Sequence, residues 1–233
     1  MAAGAAVRCV LFDMDGLLLD TESLYTVAQQ KILDRFGMKF TWELKAKMMG
    51  KRALEAAQVL VDDLGLHGRI TPEAFVQERE RILDELFPDA QLLPGAGRLV
   101  RHLASRGVPL AVATSSHRRH FDLKTSKHRD LFACFATVVT GDQVSRGKPD
   151  PSIFQLAASK LAAATSSDSF APHECLVLED APSGVEAAAA AGMPCVLVPD
   201  ANLDISGGTK ATLVLPSLVE FDPAAFGLPP FAS

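Results

Sequence analysis

No stretch of this 233-residue chain is long and apolar enough to span a bilayer, and its cysteines lack the spacing of a metal site. The four thiols, Cys9, Cys134, Cys175 and Cys195, are scattered, three of them in or beside apolar runs. That is the pattern of buried free cysteines in a reducing compartment. A positive balance is missing too: 23 Lys and Arg against 28 Asp and Glu leave a formal charge of -5. This argues against a non-specific nucleic-acid surface, though not against a local positive pocket for an anionic metabolite. The N-terminus carries Arg8 but neither a sustained apolar core nor a cleavage pattern, so a soluble, cytoplasmic protein is expected, with no membrane partner. What the chain does have is 48% hydrophobic residues against 22% charged, enough to bury one large core or two modest ones.

The stretch Val10-Leu11-Phe12-Asp13-Met14-Asp15-Gly16 is a short apolar run that ends abruptly in two carboxylates and a glycine. It reads as a buried strand with Asp13 and Asp15 where the backbone leaves the sheet. Two close carboxylates repel, so a hard cation or a shared proton is the ordinary means of keeping them together. By itself the motif is equally an Asp-Gly turn at a strand end. Past it, Asp20 is a plausible cap for a helix from Thr21 to about Arg35, with Leu24, Val27, Ile32 and Phe36 spaced along one face. From Phe40 to about Leu93 the pattern is almost wholly helical, contains the only Trp, and is bounded by Leu93-Pro94-Gly95. This block reads as an inserted helical cap, in which Lys51 and Arg52 follow Gly50 in a helix-helix turn.

From Pro94 onward strands and helices alternate. Strand signals end in Thr114-Ser115-Ser116, in Thr140-Gly141-Asp142 and in Glu179-Asp180, and Pro194 to Val198 is a further strand. Alternation of this kind predicts an α/β fold with a doubly wound, mostly parallel sheet. The expected division is 1-17 with 92-233 as catalytic core and 18-91 as cap. In a parallel sheet the polar strand ends share one edge, where open α/β folds bind ligands. Asp13, Asp15 and Asp180 offer enough hard oxygen donors for Mg²⁺ with waters and a phosphate oxygen. Thr114 and the backbone N–H groups of Ser115 and Ser116 are placed to take other phosphate oxygens. Lys148, between Gly147 and Pro149, supplies the cationic side chain such a pocket needs. The basic run His117 to His120, with Lys124, Lys127, His128 and Arg129, lacks interleaved aromatics and reads as a solvated helix face. The C-terminal Phe221 to Phe231 is expected to pack over the core without regular structure.

These residues resemble the haloacid dehalogenase-like superfamily over nearly the whole chain. The resemblance rests on Asp13-Met14-Asp15-Gly16, the Thr114-Ser115 strand end, Lys148 in Gly147-Lys148-Pro149-Asp150, and Glu179-Asp180 followed by Ala181 to Glu186. It implies a Rossmann-like core and a phosphoric monoester hydrolase in which Asp13 is the nucleophile and Asp15 the general acid and base. It also implies Mg²⁺ on the Asp13 carboxylate, the Asp15 carbonyl and Asp180, with Glu179 beside Lys148. Within the superfamily the chain resembles pseudouridine-5'-phosphatases, through Asp13 to Glu22, Met49 to Ala56, Ala113 to Ser116, Phe121 to Ser126 and Gly184 to Pro199. It also resembles, less closely, plant glycerol-3-phosphatases and related sugar-phosphate phosphatases, so the resemblance implies pseudouridine 5'-phosphate as the substrate, with glycerol 3-phosphate or another small sugar phosphate as the alternative. The implied partner is a small phosphorylated metabolite, chosen by Glu22, Lys51 and Arg52 of the cap, and the chain is expected to be a monomer or weak homodimer. A phospho-receiver domain is the rival of another class, but such domains have no cap between the acid and the hydroxyl-bearing strand.

Overall fold

The computed structural model describes residues 7-48, 51 and 53-232. Met49, Gly50 and Arg52 of the expected cap turn lie outside the described residues. The chain divides into two compact units, one running to Asp20 and resuming at Gln91, the other Thr21–Ala90.

The first unit is built on six parallel strands, β1 (Cys9–Phe12), β2 (Leu110–Ala113), β3 (Thr137–Val139), β4 (Cys175–Glu179), β5 (Cys195–Leu197) and β6 (Leu213–Val214), in the order β3-β2-β1-β4-β5-β6. The sequences CVLF, LAVA and CLVLE are buried throughout, as continuous apolar runs must be when both faces of a parallel sheet are covered. On one face Cys9 and Leu11 pack with Ile153, Phe154, Ala157, Leu161, Val185 and Ala188. On the other, Phe12 meets Phe135 edge-on at 5.6 Å, and Phe132 joins Phe135 to Phe121.

The winding outward from β1 through β2 to β3, then back to β4 on the far side of β1, puts the switch of direction at the central strand. Phe12 stands level with Val112 and Leu178, so Asp13, Ala113 and Glu179 reach the same edge together. A ligand crevice forms at such a switch point. The expected loose C-terminus contains instead two short 3₁₀ turns, Leu218–Glu220 and Pro223–Phe226, whose side-chain caps Ser217 and Asp222 satisfy the turn N–H groups. Leu218, Phe221 and Leu228 are thereby buried.

The second unit contains α1 (Glu22–Asp34), α2 (Trp42–Met48), α3 (Ala53–Asp63) and α4 (Pro72–Leu86). Thr71 caps α4 by accepting from Ala74 N, with Pro72 in the first turn, and α4 packs on α1 and α3. Two expectations for α1 are corrected. Its N-cap is Thr21, in helical conformation and without a side-chain cap bond, rather than Asp20. Its buried face is Ala28, Gln29, Ile32 and Leu33, and Val27 is 41% exposed. A stripe marked by a small and a polar residue escapes a reading that follows large apolar ones. Tyr25 meets the Phe87 ring at 5.7 Å and is part of this unit's packing. Among the described residues no helix is long and apolar enough to cross a membrane.

The remaining helices of the first unit are α5 (Ala96–Ser105), α6 (Arg118–Lys124), α7 (Arg129–Phe132), α8 (Ser152–Ala164) and α9 (Pro182–Ala190). Of these, α6 and α9 begin just past the ends of β2 and β4 and so frame the shared edge.

Candidate active site

Asp13 is the first residue beyond β1 and is 5% exposed. Its Oδ1 takes a hydrogen bond of 2.5 Å from Lys148 Nζ, which donates at the same length to Glu179 Oε1 and at 3.1 Å to Ala113 O. An ammonium has three donors, and here all three are used. Burial pushes the Asp13 carboxyl up to about 7, the Lys148 charge working against that rise and Glu179 and Asp15 adding to it. For Lys148 burial acts to lower the pKa, but the attraction of Asp13 and Glu179 outweighs it and holds the group above its ordinary value. The sequence reading of Lys148 as the cation of the pocket thus corresponds to a side chain clamped between two carboxylates.

Glu179, 1% exposed, is held from its other oxygen by Asp180 N at 3.1 Å and Ala181 N at 3.3 Å. The first turn of α9 passes so close that a Cβ on Gly184 would stand 1.9 to 2.3 Å from the three carboxyl atoms of Glu179. Because that carboxylate is fixed by Lys148 and two N–H groups, it has nowhere to retreat. Gly184→Ala is therefore expected to cost about 1–3 kcal/mol, read as a lowered Tm in thermal unfolding. An unchanged Tm would mean that α9 shifts freely.

Asp15 turns to a different set of donors. Its Oδ2 accepts from Ser116 Oγ at 2.7 Å and Thr114 Oγ1 at 3.2 Å, and its Oδ1 from Lys124 Nζ at 2.6 Å. The Ser116 N–H donates to Thr114 Oγ1 at 3.1 Å, and the Ser116 hydroxyl joins the site through Asp15. One expectation is corrected here. Lys124, grouped above with a solvated basic face, is 0% exposed. The signal was present in its spacing: Phe121 and Lys124, three apart, are the two buried residues of α6. Asp142, from the polar end of β3, accepts from Arg118 N at 3.0 Å and so fastens the start of α6.

Carboxylate oxygens of Asp13, Glu179 and Asp180 lie within 4.8 Å of one another, a donor set suited to a hard divalent cation. Asp180 reaches this position across Gly16, whose φ is +76° and whose Cβ, if present, would lie 2.2 Å from Asp180 Oδ2. Only glycine meets both demands. The structure brings Asp13, Asp15, Thr114, Ser116, Lys148, Glu179 and Asp180 together at one edge, with Ser115 exposed on the loop after β2. Glu22 and Lys51 belong to the helical unit, where Glu22 is 2.9 Å from Lys45 Nζ and Lys51 is exposed. Arg52 is outside the described residues.

Comparison with known proteins supports a single family. The haloacid dehalogenase-like hydrolase model matches residues 7–192. The (DL)-glycerol-3-phosphatase 2 of Arabidopsis thaliana is 50% identical over 99% of this chain and 95% of its own. A probable pseudouridine-5'-phosphatase of Drosophila melanogaster is 43% identical over 96% of this chain and 95% of its own, so overall identity ranks these two in the reverse of the expected order. A HAD family hydrolase from Deinococcus radiodurans R1, solved with bound phosphate and sodium, superposes with a TM-score of 0.78 at 24% identity, over 97% of this chain and all of that one. The chain belongs to the haloacid dehalogenase-like hydrolases, among their phosphatases.

Proposed function

We propose that the protein hydrolyses small phosphomonoesters in two displacements on Asp13. An Asp13 carboxylate oxygen forms a bond to phosphorus as the bond from phosphorus to the ester oxygen breaks. Asp15 gives its proton to the departing alkoxide, and the product alcohol leaves. Asp15 then takes a proton from a water whose oxygen bonds to phosphorus. The bond from phosphorus to Asp13 breaks, inorganic phosphate is released, and both carboxyl groups return to their starting states. Division into two steps suits an ester that water attacks very slowly. The Lys148 ammonium, fixed beforehand at Asp13, offsets charge on the transferring group, and Thr114 lies beside it at the end of β2. The observation that carries this reading is the separation of the two acids: Asp13 is gripped by Lys148, Asp15 by Thr114, Ser116 and Lys124.

The fit of the acidic cluster to a hard cation supports Mg²⁺ held by Asp13, Asp180 and the Asp15 main-chain carbonyl, with Glu179 orienting Lys148 and bound water. When bound, the ion supplies Lewis-acid neutralisation of the phosphate charge. Buried free thiols at Cys9, Cys175 and Cys195 support a reducing, cytoplasmic setting.

Because the phosphate chemistry is common to every monoester, discrimination rests on what surrounds the leaving group, and Glu22, Lys51 and Arg52 are our candidates in the helical unit. Glycerol 3-phosphate is the first substrate to test, on the strength of the 50% identical relative. Pseudouridine 5'-phosphate is the second, on the segments named above and the 43% identical relative. A phosphate-release screen of these two, uridine 5'-phosphate and several hexose phosphates should give the largest kcat/KM on glycerol 3-phosphate. Chelation by EDTA should remove turnover and added Mg²⁺ restore it. A larger kcat/KM on pseudouridine 5'-phosphate would reverse the substrate order, and full turnover in EDTA would sink the metal.

A further inference from the structure

One residue of the basic run after β2 is wholly buried although neither the acidic cluster nor the Lys148 clamp uses it. Arg118, Arg119 and Lys127 are exposed, whereas Lys124, the last residue of α6, is wholly buried. A lysine is almost never found there without a partner. Lys124 Nζ donates to Asp15 Oδ1 at 2.6 Å and to Ser116 Oγ at 2.8 Å. Ser116 Oγ in turn donates to Asp15 Oδ2 at 2.7 Å. Lysine, serine and aspartate therefore close a three-membered ring of hydrogen bonds that holds both oxygens of one carboxyl group. That group hangs from an irregular loop and its side chain keeps 22% of its exposure. Without a grip at each oxygen it would sample several rotamers, and proton transfer requires the acid within hydrogen-bond reach of one particular oxygen.

We propose that Lys124 is a positioning residue for the phosphatase reaction. Acting directly on Asp15 and through Ser116, it fixes the orientation from which Asp15 protonates the leaving oxygen. The inference rests on the reading of Asp15 as general acid. The anchor beneath it is the aromatic packing of Phe121 on Phe132, on the same face of α6 as Lys124, so the orientation of a loop acid is set by the core.

The test exploits leaving-group chemistry. An alkyl phosphate releases an alkoxide that needs a proton, whereas p-nitrophenyl phosphate releases a stable phenolate that does not. For both, kcat/KM reports the steps up to release of the leaving group. With Mg²⁺ present, Lys124→Met is expected to lose at least about tenfold more kcat/KM on glycerol 3-phosphate than on p-nitrophenyl phosphate, since a placed acid contributes about 10²–10⁴. Ser116→Ala should show the same selectivity to a smaller degree, and it decides the matter if Lys124→Met does not fold. Equal losses on the two esters, or no loss on either, would overturn the inference and leave Lys124 a structural anchor. Asp15→Asn separates the two readings. If it shows the alkyl-selective loss and the Lys124 variant does not, only the role of Lys124 falls. If Asp15→Asn shows no selectivity, the acid role falls and takes that of Lys124 with it.

Discussion

Lys148→Met is expected to lower kcat by about 10³-fold and to destabilise the protein by about 3–5 kcal/mol. The activity loss follows from removing the cation that, among the described residues, touches Asp13. The stability loss has a separate origin, because the substitution leaves Asp13 and Glu179, 5% and 1% exposed, facing each other without the ammonium that bridged them. Loss of the bridge raises the Asp13 carboxyl further, so the buried charge can be discharged by a proton more readily than in the parent. The deficit should therefore be largest above the parent Asp13 value of about 7 and shrink on acidification. Denaturant unfolding in EDTA at two pH values on either side of neutrality measures it. A variant as stable as the parent at the higher pH would show that the clamp contributes nothing to the fold.

Asp13→Asn should reduce turnover to background, since an amide replaces the attacking carboxylate at that position, while the metal-free protein becomes more stable. The second half of this prediction comes from the raised carboxyl. A carboxyl whose folded value lies above its unfolded one favours folding below the ordinary carboxylate range, and that contribution is lost as the pH rises toward about 7. At neutral pH the ionised Asp13 thus burdens the parent fold by at most about 4 kcal/mol, and an amide, which cannot ionise, removes the burden. Asparagine also keeps an oxygen for Lys148. The Tm gap between variant and parent in EDTA should widen from pH 5 to pH 7, and Mg²⁺ should raise the parent Tm more than the variant's. Parent-rate hydrolysis by the variant would end the nucleophile assignment. A gap that narrows with pH would mean that Lys148 compensates the charge fully.

The two substitutions draw on different halves of the same balance. Removing the cation strands two acids, whereas removing one acid leaves the cation with Glu179. A single buried lysine between two carboxylates therefore predicts opposite stability changes for its own loss and for the loss of one partner.

The strands were legible because a parallel sheet covered on both faces demands unbroken apolar runs, and CVLF, LAVA and CLVL have little other use. The acids that end the first and last of these were legible for the same reason, since carboxylates placed directly after such runs must stand at the sheet edge. Lys148 was legible through charge need. Lys124 was not, because a lysine among Arg118, Arg119 and Lys127 has the composition of a solvated face, and only the packing of Phe121 sets the rotation of α6. The α1 stripe failed similarly: Gln29 is 6% exposed, yet nothing in its chemistry marks it as interior.

By itself the sequence determined the alternation of elements, the position of the helical insertion and the identity of the acids at the strand ends. These follow from local periodicity and from residue chemistry at the point where a run stops. Only the tertiary structure decided that Asp13 and Asp15, two residues apart, take separate sets of partners, and that Glu179 joins Asp13 and Asp180 in one cluster. Those choices depend on side-chain direction and on which distant groups the sheet register brings level, and spacing along the chain carries neither.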